Sequence, residues 1–376
     1  MDSRQYTSLQ AALSDVPDPR QARGQRYGWP FLLTLIAAAV VSGQRSVRAI
    51  GQWVQEHADE LVATLAPPRG CVPSTDTLRR AVRRVDADAL EERLAGFLAA
   101  VPSPPPPPAT APWVGQALDG KAVRGANRHG ARLHLVGLVR HGDGRVLAQR
   151  AVPHKRGEVS AAPQVLAGRD LAGTVTTTDA LLATRGLARQ IRAQGGHYLM
   201  VVKGNRAAVR RGIDTYFFGP PGRTADRAAT VGKGHGRLEE RTLERRLVPP
   251  HACDWPGIAQ VLRRTCRRVI LATGEVQEET TYAVTSLPAA AGAAVLEALW
   301  RGHWTIENRV HYPRDVSWGE DAGQQRVGAA PQALAALRNA LLSLLRALGW
   351  TSIADALRHY GATPHRALAL LILTPR

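Results

Sequence analysis

Between residues 114 and 203 the apolar positions change rhythm in a way that few folds accommodate. Val114 to Leu118 is a short apolar run ending at Asp119-Gly120-Lys121. Leu133 to Val139 and Arg145 to Val152 then alternate or run apolar, with Gly142 and Gly144 between them. Short β-rich runs bounded by glycine read as strands, and the last two as a hairpin. Val159 to Leu166 has helical spacing, Gly173 to Thr178 is a fourth strand ending at Asp179, Leu181 to Ala193 is a second helix, and His197 to Lys203 is a fifth strand. The expected order is β-β-β-α-β-α-β, which commits the segment to a sheet covered by helices.

An antiparallel meander followed by alternating helices and strands is the order of a ribonuclease-H-like α/β sheet, and here acids stand at two strand ends. Asp119 and Asp179 both follow apolar runs, and each is expected to begin a turn. Their carboxylates share one sheet edge if the strands are neighbours. A lone Asp after a strand is most often a turn or helix cap; a pair in this strand order, joined by a third acid, suits Mg²⁺ or Mn²⁺, which take oxygen ligands and bind phosphate oxygens directly. The third acid has to come from the later helical part. There Trp300, Trp304 and Glu307 are expected on one helix face, where a carboxylate is costly unless paired or metal-bound. Asp315, Glu320 and Asp321 compete with Glu307, and the residues alone leave that choice open.

The remaining chain divides by composition. Residues 1–101 show helical spacing, with Ser74-Thr75-Asp76 as a helix start and Arg79, Arg80, Arg83 and Arg84 along one side, either a solvated face or a phosphate contact. Residues 102–112 form a proline-rich linker with extended backbone. Residues 113–204 are the first part of the α/β core, 205–290 read as a mainly β insertion, and 291–376 return to helix. Across 376 residues Lys and Arg outnumber Asp and Glu by 49 to 31, for a net charge of +18 and a pI near 11.0, which makes a polyanion the default partner. Cys71, Cys253 and Cys266 are too few and scattered for a disulfide framework or a four-ligand zinc site. The apolar run at 31–41 falls short of the roughly 20 residues a bilayer requires, and the start lacks the order of a secretory signal, so a cytoplasmic protein is expected.

Five blocks in order resemble a known family: Asp119 to Ala126, Val175 to Ala180, His197 to Asn205, Gly234 to Arg241 and His303 to Asn308. They are similar to the signature blocks of the ISAs-type, H-repeat-associated insertion-sequence transposases, and Asp18-Pro19-Arg20 with the helical stretch to about residue 100 is similar to that family's amino-terminal region. The resemblance implies a DDE transposase with a ribonuclease-H-like core, Asp119, Asp179 and Glu307 being the catalytic and metal-binding triad. It implies two Mg²⁺ ions per active site, Mn²⁺ being able to substitute, held roughly 3.5–4 Å apart in such sites. The expected reaction is attack by water at a transposon end and then by the freed 3′-hydroxyl on target DNA. In related families a Tyr, an Arg and a Lys flank the glutamate, and Trp300, His303 and Arg314 stand at those spacings here. The chain departs from the closer pattern at Leu182-Ala183-Thr184-Arg185 and at Asn205-Arg206.

Lys121, Arg124, Lys203, Arg237, Arg241, His303 and Arg314 are the candidates for double-stranded DNA, since clustered cations bind a duplex by releasing counterions. Trp255 and Trp304 are candidates for base stacking, against a core-packing alternative. A dimer is expected when two ends are synapsed. A DNA-binding derivative without catalysis and a structure-specific nuclease of the same fold stay open as alternatives.

Overall fold

A computed structural model describes residues 6–23, 25–102, 112–128, 131–152, 157–218, 226–234, 236–249, 253–323 and 325–373. The polyproline run of the expected linker, 103–111, lies outside them. The chain passes through helices α1 (Leu9–Ser14), α2 (Trp29–Val41), α3 (Val47–Glu56), α4 (Ala58–Leu65), α5 (Thr75–Arg84) and α6 (Ala87–Ala100), then β1 (Val114–Arg128), β2 (Ala131–Arg140), β3 (Val146–Val152), α7 (Glu158–Leu166), β4 (Thr174–Thr178), α8 (Arg185–Ala193) and β5 (His197–Val202). It continues with α9 (Ala207–Thr215), β6 (Arg227–Gly234), β7 (Arg237–Leu247), β8 (Gln260–Ile270), β9 (Val276–Thr285), α10 (Ala293–Gly302), α11 (Tyr312–Val316), α12 (Ala330–Ala347), α13 (Ile353–Gly361) and α14 (Pro364–Ile372). From β1 to β5 the order is the predicted β-β-β-α-β-α-β, and the fold is a ribonuclease-H-like α/β fold joined to a helical amino-terminal region.

Two bodies form. The first takes the described residues up to 102, then 120–161 and those from 306 onward. Its helix starts are set by side chains: Ser8, Ser46, Ser74 and Asp86 each accept a first-turn N–H that has no partner within the helix. α2 is buried from Leu32 to Val41 and α12 from Ala333 to Leu345, so both are interior helices without a wet face. Within α5, Arg80, Arg83 and Arg84 face solvent. The strand order in this body is β3-β2-β1, with β2 and β3 antiparallel as predicted. Arg145, just before β3, is buried and donates to the carbonyls of Val101 and Pro102, fixing the end of the helical region.

The second body takes the described residues of 112–119 and 162–305. Its strand order is β1-β4-β5-β9-β8-β7-β6. β1, β4 and β5 run parallel, β9 is antiparallel to β5, and β9 to β6 form an antiparallel ribbon. α10 packs on this sheet, and its Leu296, Leu299 and Trp300 share a core with Val175, Leu199, Leu243, Leu262 and Ala283. A 3-10 turn (Gly204–Arg206) and α9 open the segment read as mainly β.

Two expectations are corrected. Asp119 does not begin a turn, because β1 continues past it to Arg128. The helix expected through Trp300 and Val310 stops at Gly302, a poor helix former, where the N–H groups of His303 and Trp304 reach only three residues back. Helix resumes at Thr305 and widens into a π turn over Glu307–His311, in which the Tyr312 N–H bonds the Glu307 carbonyl. Pro313 supplies the reason: it has no N–H for the Arg309 carbonyl, so the regular ladder cannot pass through it. Trp300 is consequently buried while Trp304 is exposed.

Candidate active site

In the second body the register of the parallel strands does what the sequence could only make conditional. Ala117 pairs with Thr177 and Leu118 with Thr178, so Asp119 and Asp179 are the next residues on two adjacent strands, which lie about 4.8 Å apart. Alternation gives both the face of Ala117 and Thr177. Both are half-buried. The Asp179 Oδ1 accepts the Leu182 N–H at 3.0 Å, so this carboxylate caps its own turn as well as facing the strand end. On the same face the Thr177 hydroxyl donates to the Gln116 carbonyl at 3.1 Å and meets His303 Nδ1 at 3.0 Å. This hydrogen bond fixes the His303 ring.

In the first body the four late acids separate by what claims them. Glu320 is 2% exposed and held by Arg314 and Arg338 at 2.5 and 3.0 Å. Asp315 and Asp321 lie 2.6 and 3.8 Å from the Nζ of Lys121, itself 7% exposed. Glu307 alone among the four has a side chain more than half exposed, at 52%. Its carboxylate meets His311 Nδ1 at 2.9 Å. Burial lowers the His311 pKa, and the bond from His311, with smaller help from Lys121, holds the Glu307 carboxyl below the usual carboxylate range. Burial raises the Asp315 carboxyl against the pull of Lys121.

The expected DNA residues fall into different settings. Arg124, Lys203 and Arg237 are exposed; Arg241 is paired with Glu239; His303 is half-buried on Thr177. Lys121 and Arg314 are enclosed and paired with acids, Lys121 with Asp315 and Arg314 with Glu320. Trp255 is 4% exposed and follows the core-packing alternative; Trp304, at 58%, does not.

Sequence reasoning missed a support beneath β1. Glu158, at the start of α7, and His134 on β2 are both buried and bonded at 2.7 Å. The Glu158 carboxyl presses on Gly120, where an added Cβ would lie 2.4 Å from it. No local pattern signals such a contact. Gly120→Ala is expected to destabilise the protein by about 1–3 kcal/mol through overpacking, and Gly120→Ala/Glu158→Ala by clearly less than the sum of the single changes. Urea unfolding of all four proteins measures this; strict additivity refutes it.

Among the described residues no three or more His, Cys, Asp or Glu side chains are gathered closely enough to hold a metal ion, and no helix is long and apolar enough to cross a membrane. The donor chemistry of Asp119 and Asp179, carboxylate oxygen only, fits a hard divalent cation and not a thiolate- or imidazole-seeking one.

The sequence matches two family descriptions, "DDE_Tnp_1-associated" over residues 10–98 and "Transposase DDE domain" over residues 102–344. It is 27% identical over 348 residues to "Putative protein YbfL" of Escherichia coli, and 26% identical over 348 residues to "H repeat-associated putative transposase YhhI" of the same species, each alignment covering 90% of both chains. A cryo-EM structure of a piggyBac transposase synaptic complex with hairpin DNA aligns with a TM-score of 0.46 at 8% identity, over 94% of this chain and 76% of that one.

Proposed function

The chain belongs to the DDE transposase family, and on that premise we propose that it cuts DNA at the ends of a mobile element and joins the freed ends to a target, with Asp119, Asp179 and Glu307 as its acidic triad. The observation that carries this reading is the register Leu118↔Thr178, which sets Asp119, within β1, beside Asp179, at the end of the parallel neighbour β4. The choice of Glu307 rests on its exposure and on the cations that already occupy Asp315, Glu320 and Asp321. These three acids would hold two Mg²⁺ ions, with Mn²⁺ able to replace them.

The ions, when bound, would polarise phosphate oxygens and lower the pKa of the attacking hydroxyl. The protein's own residues do the rest. His311 donates to Glu307 and keeps it ionised and oriented, as a supporting partner of a ligating carboxylate does. The Leu182 N–H holds one oxygen of Asp179, leaving the orientation of that carboxylate fixed. Arg124, Lys203 and Arg237, all exposed, would meet backbone phosphates, while Lys121 pairs with Asp315 and Asp321. Two copies, one for each end, would act together on DNA.

Glu307→Gln tests the assignment. Purified wild type with Mg²⁺ and a duplex containing the element's own ends should release cut ends, and the variant should do so roughly a hundred- to a thousandfold more slowly, the usual cost of losing one preorganised electrostatic group. A variant that cuts at the wild-type rate removes Glu307 from the triad.

A further inference from the structure

α9 is an unusual helix for a folded protein. Of its residues only Ile213 is buried, so the apolar stripe that normally fastens a helix to its core is missing. It is fastened instead at its two ends. At the start, Asn205 Nδ2 donates to the Ala180 carbonyl at 2.7 Å and Arg206 Nε to the Ala183 carbonyl at 3.1 Å, on the turn that begins at Asp179. Farther along, Phe217 is buried beneath the guanidinium groups of Arg263 and Arg246, 4.9 and 5.5 Å from its ring centroid. The Tyr282 hydroxyl donates to Asp214 at 2.6 Å.

These attachments also sort the charges. From 203 to 218 the cations are Lys203, Arg206, Arg210 and Arg211, and Asp214 is the one acid. Asp214 is engaged by Tyr282. On the adjoining ribbon the buried Glu244 is shared by Arg227, Arg246 and Arg263, so one negative charge answers three positive ones. Arg210 and Arg211 are exposed, and Arg210 lies over the Tyr282 ring at 5.8 Å. Phe218, at the end of the same segment, is 90% exposed. A positive surface with aromatic faces is what a phosphate backbone and its bases complement.

We propose that α9 is a DNA-backbone contact that leads a duplex away from the Asp179 turn, with Arg210 and Arg211 each meeting a phosphate. The proposal rests on the reading of the protein as a DNA-acting transposase and adds where the duplex lies. A backbone contact predicts a loss that depends on charge and salt and not on base sequence.

Fluorescence anisotropy with a labelled 30-base-pair duplex of arbitrary sequence, followed across a salt series, tests it with the full chain. Arg210→Gln/Arg211→Gln should bind more weakly and reduce the slope of log affinity against log salt by roughly two, while Arg210→Lys/Arg211→Lys should keep the wild-type slope. Thermal unfolding should change little in both, since the side chains are exposed and Arg210 gives up only its contact over the Tyr282 ring. If wild type binds and the Gln variant keeps its slope, α9 is not a DNA contact while the transposase reading stands. If wild type itself fails to bind the duplex at low salt, both readings fall.

Discussion

Asp179→Asn is expected to abolish metal-dependent DNA cleavage, by about a thousandfold or more, while the protein stays folded and still binds DNA. The distinction comes from the two tasks of this carboxylate. One oxygen accepts the Leu182 N–H at 3.0 Å, and an Asn side-chain oxygen accepts it equally well, so the turn survives. The charge that would hold a divalent cation does not survive, and a neutral amide is a far poorer ligand for a hard cation. Asp179→Ala loses both tasks and should add a stability loss of about 1 kcal/mol for the missing cap. Cleavage of end-containing DNA with Mg²⁺, read beside urea unfolding and DNA binding for both variants, separates the tasks. Wild-type cleavage by Asp179→Asn would leave the residue a turn cap and nothing more.

Glu320→Gln should be the most destabilising single change in the first body, at about 3–5 kcal/mol. It leaves Arg314 and Arg338, each 2% exposed, without the carboxylate that joins them, and removing one partner of a buried ionic group costs far more than the group contributes intact. Arg314 also reaches Gln149 and Asn339, and Arg338 reaches the Arg45 carbonyl, so the loss should be felt from α11 to the amino-terminal helices. The same group gives the protein an acid limb. Burial alone would raise the Glu320 carboxyl, but Arg314 and Arg338 outweigh it and hold the pKa at about 2, against 4.5 for a free Glu. A carboxyl lowered on folding stabilises fully above its unfolded value and loses that contribution as pH falls toward its folded value. Stability should therefore decline from about pH 4.5 toward pH 2 in wild type and less steeply in the variant. Equal slopes in the two proteins, measured by urea unfolding at several pH values, would refute the assignment.

The two acids were legible because apolar runs are local properties, written around Val114–Leu118 and Gly173–Thr178, although β1 runs on past Asp119 where a turn was expected. That the strands are neighbours was conditional, since pairing joins residues about sixty positions apart and leaves no local trace. The late acids show the limit more sharply. Asp315, Glu320, Asp321 and Glu307 look alike in sequence, and they differ in the fold through exposure and through the cations that reach them, Lys121 for two of them and the distant Arg338 with the nearby Arg314 for a third. The expected shared face of Trp300 and Glu307 failed because helical spacing takes no account of Gly302 and Pro313 interrupting the ladder.

By itself the sequence determined the element order, the basic balance of the chain and, through its blocks, the family to which it belongs, because periodicity, charge and motif spacing survive any arrangement in space. The tertiary structure decided which carboxylates stand exposed, which arginines are enclosed, and that α9 is fastened by its ends with its cations outward. Burial and partnership are properties of pairs far apart along the chain, and only folding brings such pairs together.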